Sequence, residues 1–153
     1  MKEDLARPTT VHLDELRVVL GKKYIKSRVA SQFDFIDIAT KGINANVISN
    51  FRQYFNLTRG NTAEFLNVSE PTIYRWTKGN KKLERNFSVK LFEISELFLV
   101  GAEIFGSKEN FFKWLNLPNT ALGGMEPREL IEIPEGVSKV RDVLGRIEHG
   151  VYS

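Results

Sequence analysis

Apolar residues recur along this chain at helical rather than strand spacing. Leu13, Leu16 and Leu20 share one face of a short helix that Pro8-Thr9-Thr10 can open and Gly21 can end. Between Lys22 and Ser31 the apolar residues Tyr24, Ile25 and Val29 fit a strand or a helix, so residues 1–31 are read as a variable arm. A clear pattern returns near Phe33. After a turn at Gly42, the residues Val47, Ile48, Phe51 and Phe55 fall three and four apart and predict a helix broken at Thr58 to Gly60. A short helix from Thr62 to Leu66, a tight break at Asn67 and a second short helix from about Glu70 to Trp76 follow.

Phe87, Leu91, Ile94, Phe98, Ala102 and Phe105 then form one stripe, which predicts a long helix from about Asn86 to Phe105. Val89, Phe92, Leu99 and Val100 make it apolar on its other faces too. Such a helix is either the centre of the fold or a homodimer interface. Ser107 can cap a short helix through Leu115, and Leu117 to Gly124 reads as a loop. Pro127 suits the first turn of a small helix through Ile131. Pro134 suits the start of the last helix, in which Val137, Val140, Leu144 and Ile147 form one face. The predicted fold class is all-α.

Composition narrows the function. With 153 residues, 42% hydrophobic and 27% charged, the chain has room for one ordinary core or two small helical modules, and its make-up is globular. The longest apolar run is Leu97 to Val100 and the Met1 end is charged, so neither a membrane span nor a signal peptide is expected, and the cytoplasm is the expected location. There is no cysteine, and His12 and His149 are far apart in sequence, so no metal site is expected. No nucleophile–base pairing is visible, and Gly123-Gly124 lacks the strand that must precede a dinucleotide loop. Neither an enzyme nor a cofactor is expected.

Ala63, Leu66, Val68, Ile73 and Trp76 occupy the framework positions of a helix-turn-helix. Ala63 is small where the two helices cross. Asn67 stands at the turn in place of the usual glycine, a position of positive φ that Asn visits cheaply. Ser69 can cap the second helix and Pro71 fits its first turn, leaving Glu70, Thr72, Tyr74, Arg75 and Lys78 facing outward. Net charge is only +3, but Arg75, Lys78, Lys81, Lys82 and Arg85 cluster against Glu84 alone. Ser69, Thr72, Tyr74, Arg75, Lys78, Lys81 and Lys82 are therefore the candidate DNA contacts. Arg75 would read a guanine edge or hold a phosphate, Thr72 and Tyr74 would touch phosphate or base, and the lysines would grip the backbone. Glu70 opposes this, although an acid can accept from cytosine. A solvated surface explains the cluster almost as well, and paired short helices also occur in proteins that never touch DNA.

The last third carries Trp114-Leu115, Leu117-Pro118-Asn119, Leu122-Gly123-Gly124, Pro127, Gly136 with Val140, and Leu144 through Gly150. Together with Thr72-Ile73-Tyr74-Arg75 and Phe105-Gly106, these residues resemble the Xre/MbcA/ParS antitoxin family of bacterial type II toxin–antitoxin systems. The resemblance spans about Phe35 to Ser153. It implies an Xre-like helix-turn-helix domain over 32–85, a central helix and dimer contact over 86–105, and a toxin-binding domain over 106–153. It also implies homodimerisation, binding to the operon's own promoter DNA, and a cognate toxin with a RES domain that depletes NAD. The departures are Asn67 at the turn and Phe111-Phe112, where smaller residues are in part expected. For toxin contact the expected residues are Asn119, Gly124, Arg146, Glu148, His149, Gly150, Tyr152 and Ser153, with charged groups and a short tail entering the toxin's cleft. The alternative is a stand-alone helix-turn-helix regulator whose carboxy-terminal module dimerises or binds an effector.

Overall fold

The computed structural model describes residues 13–26 and 29–150. The described chain is mostly helical, with one minute sheet. It divides into two compact units, one ending at Glu96 and one beginning at Leu97.

In the first unit, helix α1 (residues 13–20) buries Leu13, Leu16, Val19 and Leu20. It stops at Gly21, whose φ of 103° and close approach to the Asn50 amide leave no room for a Cβ. Asn50 Nδ2 donates to the Leu20 carbonyl at 2.9 Å, and Arg17 donates to the carbonyls of Ile25 and Lys26. Ile25 and Val29 are buried as well. The described part of the expected arm is thus knit into the core, while the Pro8-Thr9-Thr10 start lies outside the described residues.

Helix α2 (Gln32–Lys41) begins where Asp34 accepts from the Ser31 and Ala30 amides, at 3.1 and 2.8 Å. Strand β1 (Ile43–Asn44) follows, then α3 (Val47–Tyr54), which buries Val47, Ile48 and Phe51. Helix α4 (Arg59–Leu66) starts earlier than the sequence pattern implies. Thr58 Oγ1 accepts from the Asn61 amide at 3.0 Å, so Thr58 is a cap and not a break, and Gly60 sits within the first turn. Helix α5 (Glu70–Lys78) leads into β2 (Lys82–Leu83), which pairs antiparallel with β1, Ile43 facing Leu83.

Helix α6 (Arg85–Phe105) contains the division between the units. Leu91, Phe92, Ile94, Leu97, Phe98, Leu99 and Val100 are all buried within the single chain. That burial accounts for a helix apolar on every side without a second copy.

The second unit is built around Phe111. Helix α7 (Lys108–Leu115) starts at Ser107, whose hydroxyl accepts from the Asn110 amide at 3.0 Å. Phe111 lies 5.6 Å edge-on from Phe98 and 6.1 Å from both Phe105 and Trp114. Gly101 makes this possible, because a Cβ there would overlap the Phe111 ring. Phe111-Phe112 is therefore where this chain's own core places its bulk, with Phe112 edge-on to Phe98 at 5.2 Å. Helices α8 (Pro127–Ile131) and α9 (Gly136–Glu148) complete the unit with Ile131, Val140, Val143 and Leu144. Helix α9 starts at Gly136, two residues after Pro134, so Pro134 stands before the helix and not in its first turn as expected. Glu135 takes a left-handed φ of 66° to reverse the chain, and Gly136 then sits against the Leu130 carbonyl with no space for a side chain.

Candidate nucleic-acid and partner-binding surfaces

In the first unit α4 and α5 meet at Asn67, which is left-handed at φ 56° and ψ 47°. Val68 N donates to the carbonyl of buried Ala63 at 3.0 Å, closing the turn. Ser69 Oγ accepts from the Thr72 amide at 3.2 Å and lies 2.8 Å from the Thr72 hydroxyl, to which Arg75 Nη2 donates at 3.2 Å. This ladder holds three of the expected contacts along one face of α5. Beside it, Lys78 Nζ donates to the Tyr74 hydroxyl at 3.1 Å and lies 5.4 Å from the ring centre.

Helix α5 buries none of its residues fully. Its hold on the unit includes Trp76, edge-on to Phe87 at 4.9 Å, and Thr77, whose carbonyl accepts from Asn46 Nδ2 at 3.3 Å. Glu70, Tyr74, Arg75 and Lys78 are left exposed, Tyr74 at 60%. Lys81 and Lys82 are exposed too, but they lie off the helix. Lys82 is in β2, with its chain over Gly42, and the Lys81 carbonyl accepts from the Ala45 amide at 2.7 Å. The basic cluster is thus spread over the end of α5, the strand and the start of α6.

In the second unit Asn119 builds the loop rather than decorating it. Its Oδ1 accepts from Ala121 N at 2.8 Å, its carbonyl accepts from Gly124 N at 2.9 Å, and its amide donates to the Met125 carbonyl at 3.0 Å. A single 3-10 turn, Thr120–Leu122, lies inside. Gly123 and Gly124 have φ of 68° and 84°, and nothing lies within 4 Å of a Cβ built on either. The backbone there is open to close approach. Leu117 is exposed at 58% and Met125 at 39%, one before the closed loop and one at its end. Neither was among the partner contacts expected from sequence.

Along α9, Val140, Val143 and Leu144 are buried and Val137 and Ile147 half-buried. Arg146, Glu148, His149 and Gly150 are all exposed at its end, where Gly150 takes a φ of 77°. Tyr152 and Ser153 lie outside the described residues. Gly145, at the start of the last turn of this helix, faces open space.

Among the described residues no group of three or more His, Asp or Glu could hold a metal ion. No helix there is long and apolar enough to cross a membrane.

Residues 101–150 match the family described as Antitoxin Xre/MbcA/ParS C-terminal toxin-binding domain. An "Antitoxin Xre" of Yersinia enterocolitica is 22% identical over 119 residues, covering 77% of this chain and 80% of the relative. An "Antitoxin Xre" of Photorhabdus laumondii is 20% identical over 117 residues, covering 76% and 79%. A protein of Sphingobium named "Prs ADP-ribosylating antitoxin" is 25% identical over 135 residues, covering 81% and 84%. The matched domain takes in the Asn119 loop and α9, so the carboxy-terminal third matches the Xre/MbcA/ParS toxin-binding domain, and the chain over most of its length is similar to proteins named as antitoxins.

Proposed function

We propose that this chain is the antitoxin of a type II toxin–antitoxin system. It acts without catalysis, by binding and neutralising a cognate toxin of the RES, NAD-depleting type, and it represses its own operon by binding operator DNA as a homodimer. The observation that carries the reading is the domain match over 101–150, which falls on an exposed loop with open glycines and on an exposed charged helix end.

In this reading the toxin meets Leu117, Met125 and Gly124 on the loop, held in shape by Asn119. Arg146, Glu148, His149 and Gly150, with Tyr152 and Ser153 after them, supply the charged and aromatic contacts. Leu117 and Met125 provide apolar anchors, and Arg146 and Glu148 provide charge-assisted bonds. On DNA, the Ser69–Thr72–Arg75 ladder presents Arg75 to a base edge or phosphate, and Tyr74, Lys78, Lys81 and Lys82 flank it. The dimer is proposed through the apolar face of α2, where Phe33 is 80% exposed and Ile36 is exposed beside it.

The test is to produce the candidate toxin, encoded next to this chain's gene, with and without the chain, and to follow growth and cellular NAD. Neutralisation restores both. Deleting 150–153 weakens neutralisation and leaves DNA binding intact. Full rescue by the truncated chain would contradict insertion of the tail. A toxic neighbour that leaves NAD unchanged would contradict the RES assignment.

A further inference from the structure

A cavity of about 630 Å³ opens among α3, α4 and α5, and Arg52, Arg59, Ile48, Ile73 and Tyr74 are among its lining residues. Two cations from separate helices line it, Arg52 from the last turn of α3 and Arg59 from the first position of α4. Arg52 Nη1 donates to the Leu57 carbonyl at 3.3 Å, which holds its guanidinium against the segment leading into the Thr58 cap. Among the described residues neither guanidinium has an ion-pair partner. The amides of Arg59 and Gly60 come before the hydrogen-bond ladder of α4 and add positive potential at the same end.

Tyr74 belongs both to this cavity and to the face of α5 assigned to DNA. The lining combines guanidiniums with apolar and aromatic surface, which is the complement of a sugar-phosphate backbone. A phosphate takes paired N–H donors, while the deoxyribose packs on Ile73 and Tyr74. The volume exceeds what one phosphate fills, which favours a stretch of polymer backbone over a free anion. We propose that Arg52 and Arg59 form a backbone-phosphate seat, so that DNA is gripped on α3 and α4 as well as read from α5.

The proposal rests on the DNA-binding reading above. Glu70 lines the same cavity, with Oε2 3.5 Å from the point where a Cβ on Gly60 would stand, so an entering phosphate displaces this carboxylate. None of Arg52, Arg59 and Glu70 was among the DNA contacts expected from sequence. Arg59 falls there within the Thr58 to Gly60 break.

The experiment uses the full chain and a short fluorescein-labelled duplex taken from upstream of its own gene, with anisotropy followed across a salt series. Each phosphate contact contributes about 0.9 to the slope of log affinity against log salt. Arg52→Gln/Arg59→Gln is expected to lower that slope by about 2 and to weaken binding roughly tenfold or more at moderate salt, with an unchanged helical spectrum. The single variant Arg59→Gln, at an exposed position, gives about half the slope change should the double variant fail to fold. If the double variant keeps the wild-type slope and affinity while Arg75→Gln binds more weakly, the seat is overturned and the α5 reading stands. If the wild-type chain binds no duplex at all, the DNA reading falls and takes the seat with it. Inorganic phosphate is titrated separately against tyrosine fluorescence. Saturable quenching that the double variant loses would overturn the backbone assignment in favour of a free-anion site.

Discussion

One methyl group distinguishes Gly101 from Gly145, although both are glycines inside helices. At Gly101 it would overlap the Phe111 ring, and at Gly145 it would meet nothing within 4 Å. Gly101→Ala should therefore lower stability, because overpacking costs about 1–3 kcal/mol against a gain in helix propensity of about 1 kcal/mol. Gly145→Ala should raise stability by about 0.5–1 kcal/mol. Urea midpoints at constant slope check both, and a destabilised Gly145→Ala would show that this face of α9 is covered within the fold. Asn67 offers a second test of the same physics. Asn67→Gly should be near neutral, whereas Asn67→Ala should lose about 1–2 kcal/mol, the cost of a left-handed backbone for a residue with a plain Cβ. The requirement at Asn67 was legible in the sequence because positive φ is a local property that Asn advertises. The requirement at Gly101 was not, because it is imposed by a ring ten residues further on that arrives only when α7 folds back.

Elements were legible where one apolar stripe met one clear cap. Helices α5, α6 and α7 follow the expected spans closely, since Ser69 and Ser107 each bond the amide three residues on. Helix α2 was not assigned, because Phe33 and Ile36 lie exposed while Phe35 stacks on Phe92 at 4.7 Å, so its apolar residues fall on more than one face. The pairing of β1 with β2 is only two residues long, too short for any alternation to show. At this scale Ser69→Ala should destabilise the first unit by about 1 kcal/mol and weaken DNA binding, because it removes the α5 cap and frees Thr72 from the ladder. A thermal melt and a gel shift on the same preparation measure both effects.

Between α2 and α6, Glu93 beside Phe35 and Phe92 has its carboxyl pushed up, chiefly by burial. Glu96 raises it further and Lys90 opposes the shift. The folded state therefore holds this proton to higher pH than the unfolded chain does, so the group's contribution falls as pH rises through and above the ordinary carboxylate range. Glu93→Gln should gain more stability relative to wild type at neutral pH than in acid. An equal difference at both would contradict the shift.

At the scale of the molecule, the proposed function gives one task to each of two units. The unit ending at Glu96 offers the α5 ladder with Arg52 and Arg59, and the unit beginning at Leu97 offers the Asn119 loop and the end of α9. The second task was more legible than the first. Closely spaced turn residues build a loop by local hydrogen bonds, whereas Arg52 and Arg59 converge only after three helices have packed. Leu117 and Met125 went unread because an isolated apolar residue in a loop does not reveal whether it is covered. The most direct measurement is a titration of the purified cognate toxin with the full chain, following NAD consumption. Inhibition should saturate at a fixed stoichiometry, and Leu117→Ala/Met125→Ala should lose affinity by about tenfold or more with the fold retained. A toxin that stays fully active in excess of the folded chain would contradict neutralisation by this chain.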